Sequence, residues 1–113
     1  MRLIHGECLE EMDKLISEGV KVDAVICDPP YGTTPLKWDS VIEFTEVWNK
    51  IRLLIEPKSP TLLFGQEPYS SQVRLSNLSN YKYDWYWEKE RLTNVFQVKR
   101  RPGKVIETIS VFL

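Results

Sequence analysis

Hydrophobic positions along this chain change their period several times, and each change marks an element. Arg2 to His5 reads as a short strand broken by Gly6. From Glu7 the pattern turns helical, with Leu9, Met12, Leu15 and Ile16 on one side and Glu10, Glu11, Asp13 and Lys14 on the other. Gly19 closes that helix. Val25-Ile26-Cys27 is a short apolar run of the kind a buried strand uses. A second helix carries Phe44, Val47, Trp48, Ile51, Leu54 and Ile55 on its buried stripe, with Asp39-Ser40 opening it and Pro57 ending it. Ser40 and Glu43 have capping-box spacing. Thr61 to Phe64 is another apolar strand, ended by Gly65. Pro68 then starts a helix through Tyr69, Val73 and Leu75 toward Leu78. Tyr81 to Glu88 alternates, which predicts a half-buried strand with Tyr81, Tyr83, Trp85 and Trp87 packed against flanking helices. Ile106 to Leu113 forms the last strand.

Strands alternating with helices imply an α/β fold, a largely parallel sheet with helices on both faces. The last strands are expected to be antiparallel, because no helical pattern links Trp87 to Ile106. With 113 residues, 42% of them hydrophobic, the chain makes one domain, residues 1–113, with a packed core. Its end, Val111-Phe112-Leu113, is expected to leave apolar surface uncovered.

The candidate chemistry sits where the first apolar run stops. Asp28, Pro29, Pro30 and Tyr31 follow Cys27 directly. Each proline fixes its own φ, lacks a donor and drives the preceding residue into extended conformations. A carboxylate, a stiff turn and an aromatic ring therefore stand at a strand's carboxyl end, where ligands bind in open α/β sheets. Asp28 offers one acceptor and the Pro29 carbonyl a second, with no donor from either proline to compete. Two converging acceptors suit an amino group with two hydrogens, and Tyr31 offers a flat face for a planar ring. The exocyclic amine of a nucleobase meets all three requirements.

This run resembles the catalytic motif of the DNA amino-methyltransferases, which methylate exocyclic nitrogens of adenine or cytosine with S-adenosylmethionine. The stretches "GECLEEM", "DPPYGTTPLKWD", "LLFGQEPYSS", "YKYDWYWEK" and "ETISVF" resemble one branch, often phage-encoded or from restriction–modification systems, in which the catalytic half comes first. The resemblance implies a methyltransferase-like, partly Rossmann-type fold in the cytoplasm. Asp28 and the Pro29 carbonyl would accept the amino hydrogens of a base flipped out of double-stranded DNA, and Tyr31 would stack on it. The Asp form of the motif favours adenine N6 over cytosine N4. Glu7 stands where the family has an acid beside the cofactor's adenine, though a helix-start acid explains it as well. Glu107 matches a family acid, while Ile106 replaces the histidine before it.

The same resemblance exposes an omission. The family holds its cofactor with a Phe-x-Gly-x-Gly loop, whereas the glycines here stand at 6, 19, 32, 65 and 103. The chain is therefore expected to be the catalytic half of a truncated methyltransferase, forming a homodimer or pairing with a complementing cofactor-binding half. A silent remnant that binds DNA, or a methyltransferase for RNA or a protein amide, stays open as an alternative.

Charge sharpens the DNA expectation. The whole chain carries a net −1, but Lys89, Arg91, Lys99, Arg100, Arg101 and Lys104 face only Glu90 between positions 89 and 104. A basic loop on an otherwise acidic domain is the footprint expected for phosphate contact, with Lys99, Arg100, Arg101 and Lys104 at its centre. Cys8 and Cys27 are too few for a disulfide framework and read as reduced thiols of an intracellular protein. One histidine and two distant cysteines provide no metal-ligand cluster, and no apolar run is long enough to span a membrane.

Overall fold

A computed structural model of the chain describes residues 1–30, 44–90 and 105–113. The first helix, α1, runs Cys8–Ser17. Glu7 starts it by accepting the Glu10 N–H at 2.8 Å, which satisfies one of the orphan donors of the first turn. Gly19 ends it at φ 78°, where its N–H reaches the Ile16 carbonyl and the Val20 N–H reaches that of Leu15. That paired closure needs a left-handed residue, which glycine adopts without steric cost. Strand β1 follows at Val25–Cys27, helix α2 at Phe44–Leu54 and strand β2 at Thr61–Gly65. Helix α3, Tyr69–Ser76, leads to β3, Tyr81–Glu88, and β4, Ile106–Phe112. The opening of α2, with Ser40 and Glu43, lies outside the described residues.

The sheet order is β1-β2-β4-β3. β1 and β2 are parallel, with Val25 opposite Thr61 and Cys27 opposite Leu63. β4 lies antiparallel to both β2 and β3. Three strands thus share one direction and only the inserted β4 runs against them, which matches the expected largely parallel sheet with antiparallel last strands.

Residues paired across strands share a face, so the registers divide the sheet cleanly. Val25, Cys27, Thr61, Leu63, Ser110, Phe112 and Tyr81 line one face. Trp48 and Ile51 of α2 and Tyr69 and Val73 of α3 pack there with Leu63 and Phe112 as a buried core. Phe112 makes edge contacts with Trp48 at 4.7 Å and with Tyr81 at 5.8 Å between ring centres, a geometry that adds about 0.5–1.5 kcal/mol per pair beyond burial. The Trp48 indole N–H donates to Ser76 Oγ at 2.8 Å, so this tryptophan is core packing. Lys50 of α2 pairs with Asp13 of α1, and Arg74 of α3 pairs with Glu67 and Asp84.

Three expectations need correction. Arg2 to His5 is not a strand, and these residues are exposed; no described strand pairs with them, and an unpaired segment has no ladder to hold it. Among the described residues, every helix that contacts the sheet packs on the Phe112 face. Tyr81 does not share a face with Tyr83, Trp85 and Trp87. A bulge at Lys82 sets Tyr81 opposite Phe112 but Tyr83 opposite Val111, and one extra residue reverses a period-two pattern. Finally, Val111 and Phe112 are buried, at 4% and 2% exposure, because β4 is an inner strand; only Leu113 of that trio is exposed.

Candidate active site at the carboxyl ends of the parallel strands

β1 is three residues long, and its neighbours pin it. The Val22 N–H donates to the Leu54 carbonyl at 2.8 Å, and the Val25 N–H donates to the Pro60 carbonyl at 3.0 Å. Val25 and Cys27 turn toward the helices while Ile26 points to the opposite face. The strand stops at Asp28 because two prolines follow, neither of which can donate to a ladder. Pro29 is buried, Pro30 half-buried and Asp28 exposed. The parallel register puts the carboxyl end of β2, Gly65-Gln66-Glu67, at this same end of the sheet.

Pro29 faces a small apolar cavity of about 90 Å³, lined also by Cys8, Met12, Val25, Cys27 and Phe44. The first turn of α1 therefore sits beside the motif, bringing Glu7 into the neighbourhood. Burial, then Cys8 and Asp28, push the Cys27 thiol up to about 11. Burial and the nearby Glu7 carboxylate also raise the Cys8 thiol. Both thiols are held protonated at neutral pH, and the two carboxylates make this end of the sheet acidic. Glu67 accepts hydrogen bonds from Ser71; that contact and Arg74 hold its carboxyl below the usual range. A larger cleft of about 320 Å³, lined by Arg52, Lys58, Thr61 and Asn80, opens at the opposite end of the sheet, away from the motif.

Of the residues singled out from the sequence, Asp28, Pro29 and Pro30 are brought together with the helix start at Glu7. Tyr31 lies outside the described residues, as do Lys99, Arg100, Arg101 and Lys104. β3 runs in the direction of β1, so the chain beyond Glu88 leaves the sheet at the motif's end. Lys89, the first cation of that stretch, is paired with Glu107. Sequence reasoning missed Cys8 and Met12 as cavity walls, which only the docking of α1 reveals. It also missed Gln66-Glu67, which the same signal marks: an apolar strand stopped by a glycine and a proline.

No family model matches the chain, and no curated protein is significantly similar to it. Among solved structures, the methyltransferase M1.HpyAVI in complex with SAM superposes with a TM-score of 0.70 at 21% identity, over 96% of this chain and 52% of that one. M1.HpyAVI alone gives 0.70 at 19%, over 95% and 51%. The fold is methyltransferase-like. This chain spans about half the length of those methyltransferases, and the likeness extends over all its elements. Among the described residues, no group of His, Cys, Asp or Glu could hold a metal ion, and no helix is long and apolar enough to cross a membrane.

Proposed function

We propose that this chain carries the acceptor side of an S-adenosylmethionine-dependent DNA methyltransferase acting on an exocyclic amino group, adenine N6 in preference to cytosine N4. One observation carries the reading: Asp28-Pro29-Pro30 ends a parallel strand in a methyltransferase-like fold. Ligands of open α/β sheets gather at that end. The Asp28 carboxylate and the Pro29 carbonyl accept the two amino hydrogens of a flipped base. That pins the amine and turns its lone pair toward an electrophile. Tyr31 stacks on the base. Lys99, Arg100, Arg101 and Lys104 contact phosphates, which agrees with β3 delivering the chain to the motif's end of the sheet.

The described residues suit one part of a methyl donor and not the whole of it. Glu7 and Asp28 favour a cationic sulfonium nearby. The cavity of about 90 Å³ is far below the ~300 Å³ at which ligand clefts begin. No two of the five glycines share a loop. On this reading most of the donor's cradle lies in the half of the fold that this chain does not span. A second reading, a catalytically silent form that keeps DNA affinity, rests on the excess of cations between positions 89 and 104.

Labelled methyl incorporation into DNA, RNA and protein tests the proposal. Incorporation into DNA adenine that Asp28→Ala abolishes supports it, and parent-level turnover by that variant overturns it. Incorporation into RNA or protein alone changes the substrate class. DNA binding without any incorporation selects the second reading. If the basic stretch grips phosphates, neutralising Arg100 and Arg101 makes the slope of log affinity against log salt shallower, by about 0.9 for every phosphate the protein no longer neutralises.

A further inference from the structure

We infer that Glu67 is a positioning residue of the acceptor site, holding the turn after β2 as a wall beside Asp28-Pro29-Pro30. This rests on the methyl-transfer reading of that motif. β1 and β2 pair in parallel up to Cys27 and Leu63. Their next residues, Asp28-Pro29-Pro30 and Phe64-Gly65-Gln66, therefore run on side by side, about 4.8 Å apart. Among the described strands only β2 lies beside β1. A ring whose amino group sits between the Asp28 carboxylate and the Pro29 carbonyl extends past the strand ends, next to the turn at Gln66-Glu67.

Glu67 ties that turn to the elements behind it. Its carboxylate accepts the Ser71 N–H at 3.3 Å and the Ser71 hydroxyl, and it pairs with Arg74 of α3. Arg74 in turn pairs with Asp84 of β3 at 3.3 Å and donates to Ser71 Oγ at 3.2 Å. The Ser70 N–H donates to the Gln66 carbonyl at 2.9 Å. The start of α3 also lies close against the strand, since a Cβ on Gly65 would stand 2.7 Å from Ser70 Oγ. Glu67 has 57% of its side chain open to water, and exposed ion pairs contribute little to stability because solvent screens them. What these contacts supply is a fixed place for the turn. Misplacing a group by about 1 Å near reacting atoms can cost about a hundredfold in rate, so a network that adds little stability can still matter greatly to the reaction.

Methyl incorporation from labelled S-adenosylmethionine into unmethylated, mixed-sequence DNA tests this with the 113-residue chain and its variants. Glu67→Gln keeps the shape and removes the charge. It is expected to lower the rate at saturating DNA by about tenfold or more and to leave the half-saturating DNA concentration within about twofold. Amide hydrogen exchange over residues 65–71 is expected to quicken. Arg74→Gln leaves Glu67 in place but unheld, and it carries the same test should Glu67→Gln fail to fold. The double variant is expected to lose no more than either single change, as members of one network do. Glu18→Gln breaks another exposed ion pair, with Arg2 beyond the far end of α1, and is expected to leave the rate unchanged. Circular dichroism checks that each variant keeps the parent fold. An active parent matched in rate by Glu67→Gln overturns this inference alone. So does a slower Glu67→Gln whose turn exchanges as the parent's does. Incorporation by neither parent nor variants overturns the methyl-transfer reading, and this inference with it.

Discussion

The tryptophans on the two faces of the sheet meet opposite fates. On the helical face Trp48 seals against Phe112, with 5% and 2% exposure. On the other face Trp85 and Trp87 remain half-exposed. Hydrophobicity alone does not distinguish these tryptophans; what differs is whether a described helix packs over them. A sheet buries a face only against another element, and α2 and α3 both pack on the Phe112 side.

The contrast breaks most visibly under truncation. Phe112→Ala is expected to destabilise the fold by about 3–5 kcal/mol, as removal of a buried aromatic does. Trp87→Ala should cost the monomer less than about 1 kcal/mol. Urea unfolding of the two variants checks this, and equal losses would erase the distinction between the faces.

Ser76→Ala probes the polar seam of the covered side. It removes the acceptor of the Trp48 indole N–H, and an orphaned buried donor costs about 1–3 kcal/mol. A denaturation midpoint unchanged from the parent would show that this hydrogen bond contributes nothing.

Adjacent residues on β1 give a chemical version of the comparison. Cys27 faces the helices, with its thiol pushed up to about 11, while Ile26 is open to water. Iodoacetamide at about pH 8, close to the ordinary thiol pKa, is expected to leave Cys27 unmodified but to label a thiol introduced by Ile26→Cys; mass spectrometry reads both. The sign of the linkage follows from the raised value. The folded state keeps the proton more tightly than the unfolded chain, so this contribution to stability is fully present below about pH 9 and is lost as pH rises toward about 11. Cys27→Ser should flatten the alkaline fall in stability, and an unchanged alkaline limb would place its cause elsewhere.

The smallest effect belongs to α1, which sits on the helical side with no fully buried residue. Glu7→Ala removes the acceptor for the Glu10 N–H and is expected to cost about 0.5–1 kcal/mol. Glu7→Asp, which keeps a capping carboxylate, should recover that loss in thermal denaturation. If Glu7→Asp restores stability but not activity, the longer side chain has a second task beside the motif.

Much of the local structure was legible because its causes are local. Gly19 ends α1 through its own left-handed backbone. Pro29 and Pro30 end β1 by lacking donors. The stripe of Trp48, Ile51 and Leu54 sets the buried side of α2. The candidate site was legible to the same extent: a strand stopped by Asp28-Pro29-Pro30 puts those residues at a carboxyl end whatever surrounds it. The cavity behind Pro29 was not, since its walls Cys8 and Met12 arrive only when α1 docks.

Apart from Arg2 to His5, the sequence by itself determined which described segments become helices and strands, where β1 stops, and that a carboxylate and two prolines stand there, because spacing and proline geometry act within a few residues. Only the tertiary structure decided the rest. Inserting β4 between β2 and β3 buried Val111 and Phe112, which a reading of the chain end leaves bare. A single extra residue at Lys82 sent Tyr81 to the covered face and Tyr83, Trp85 and Trp87 to the open one. Strand order and register depend on partners far away in sequence, and alternation within one strand carries no information about which of its two sides those partners will cover.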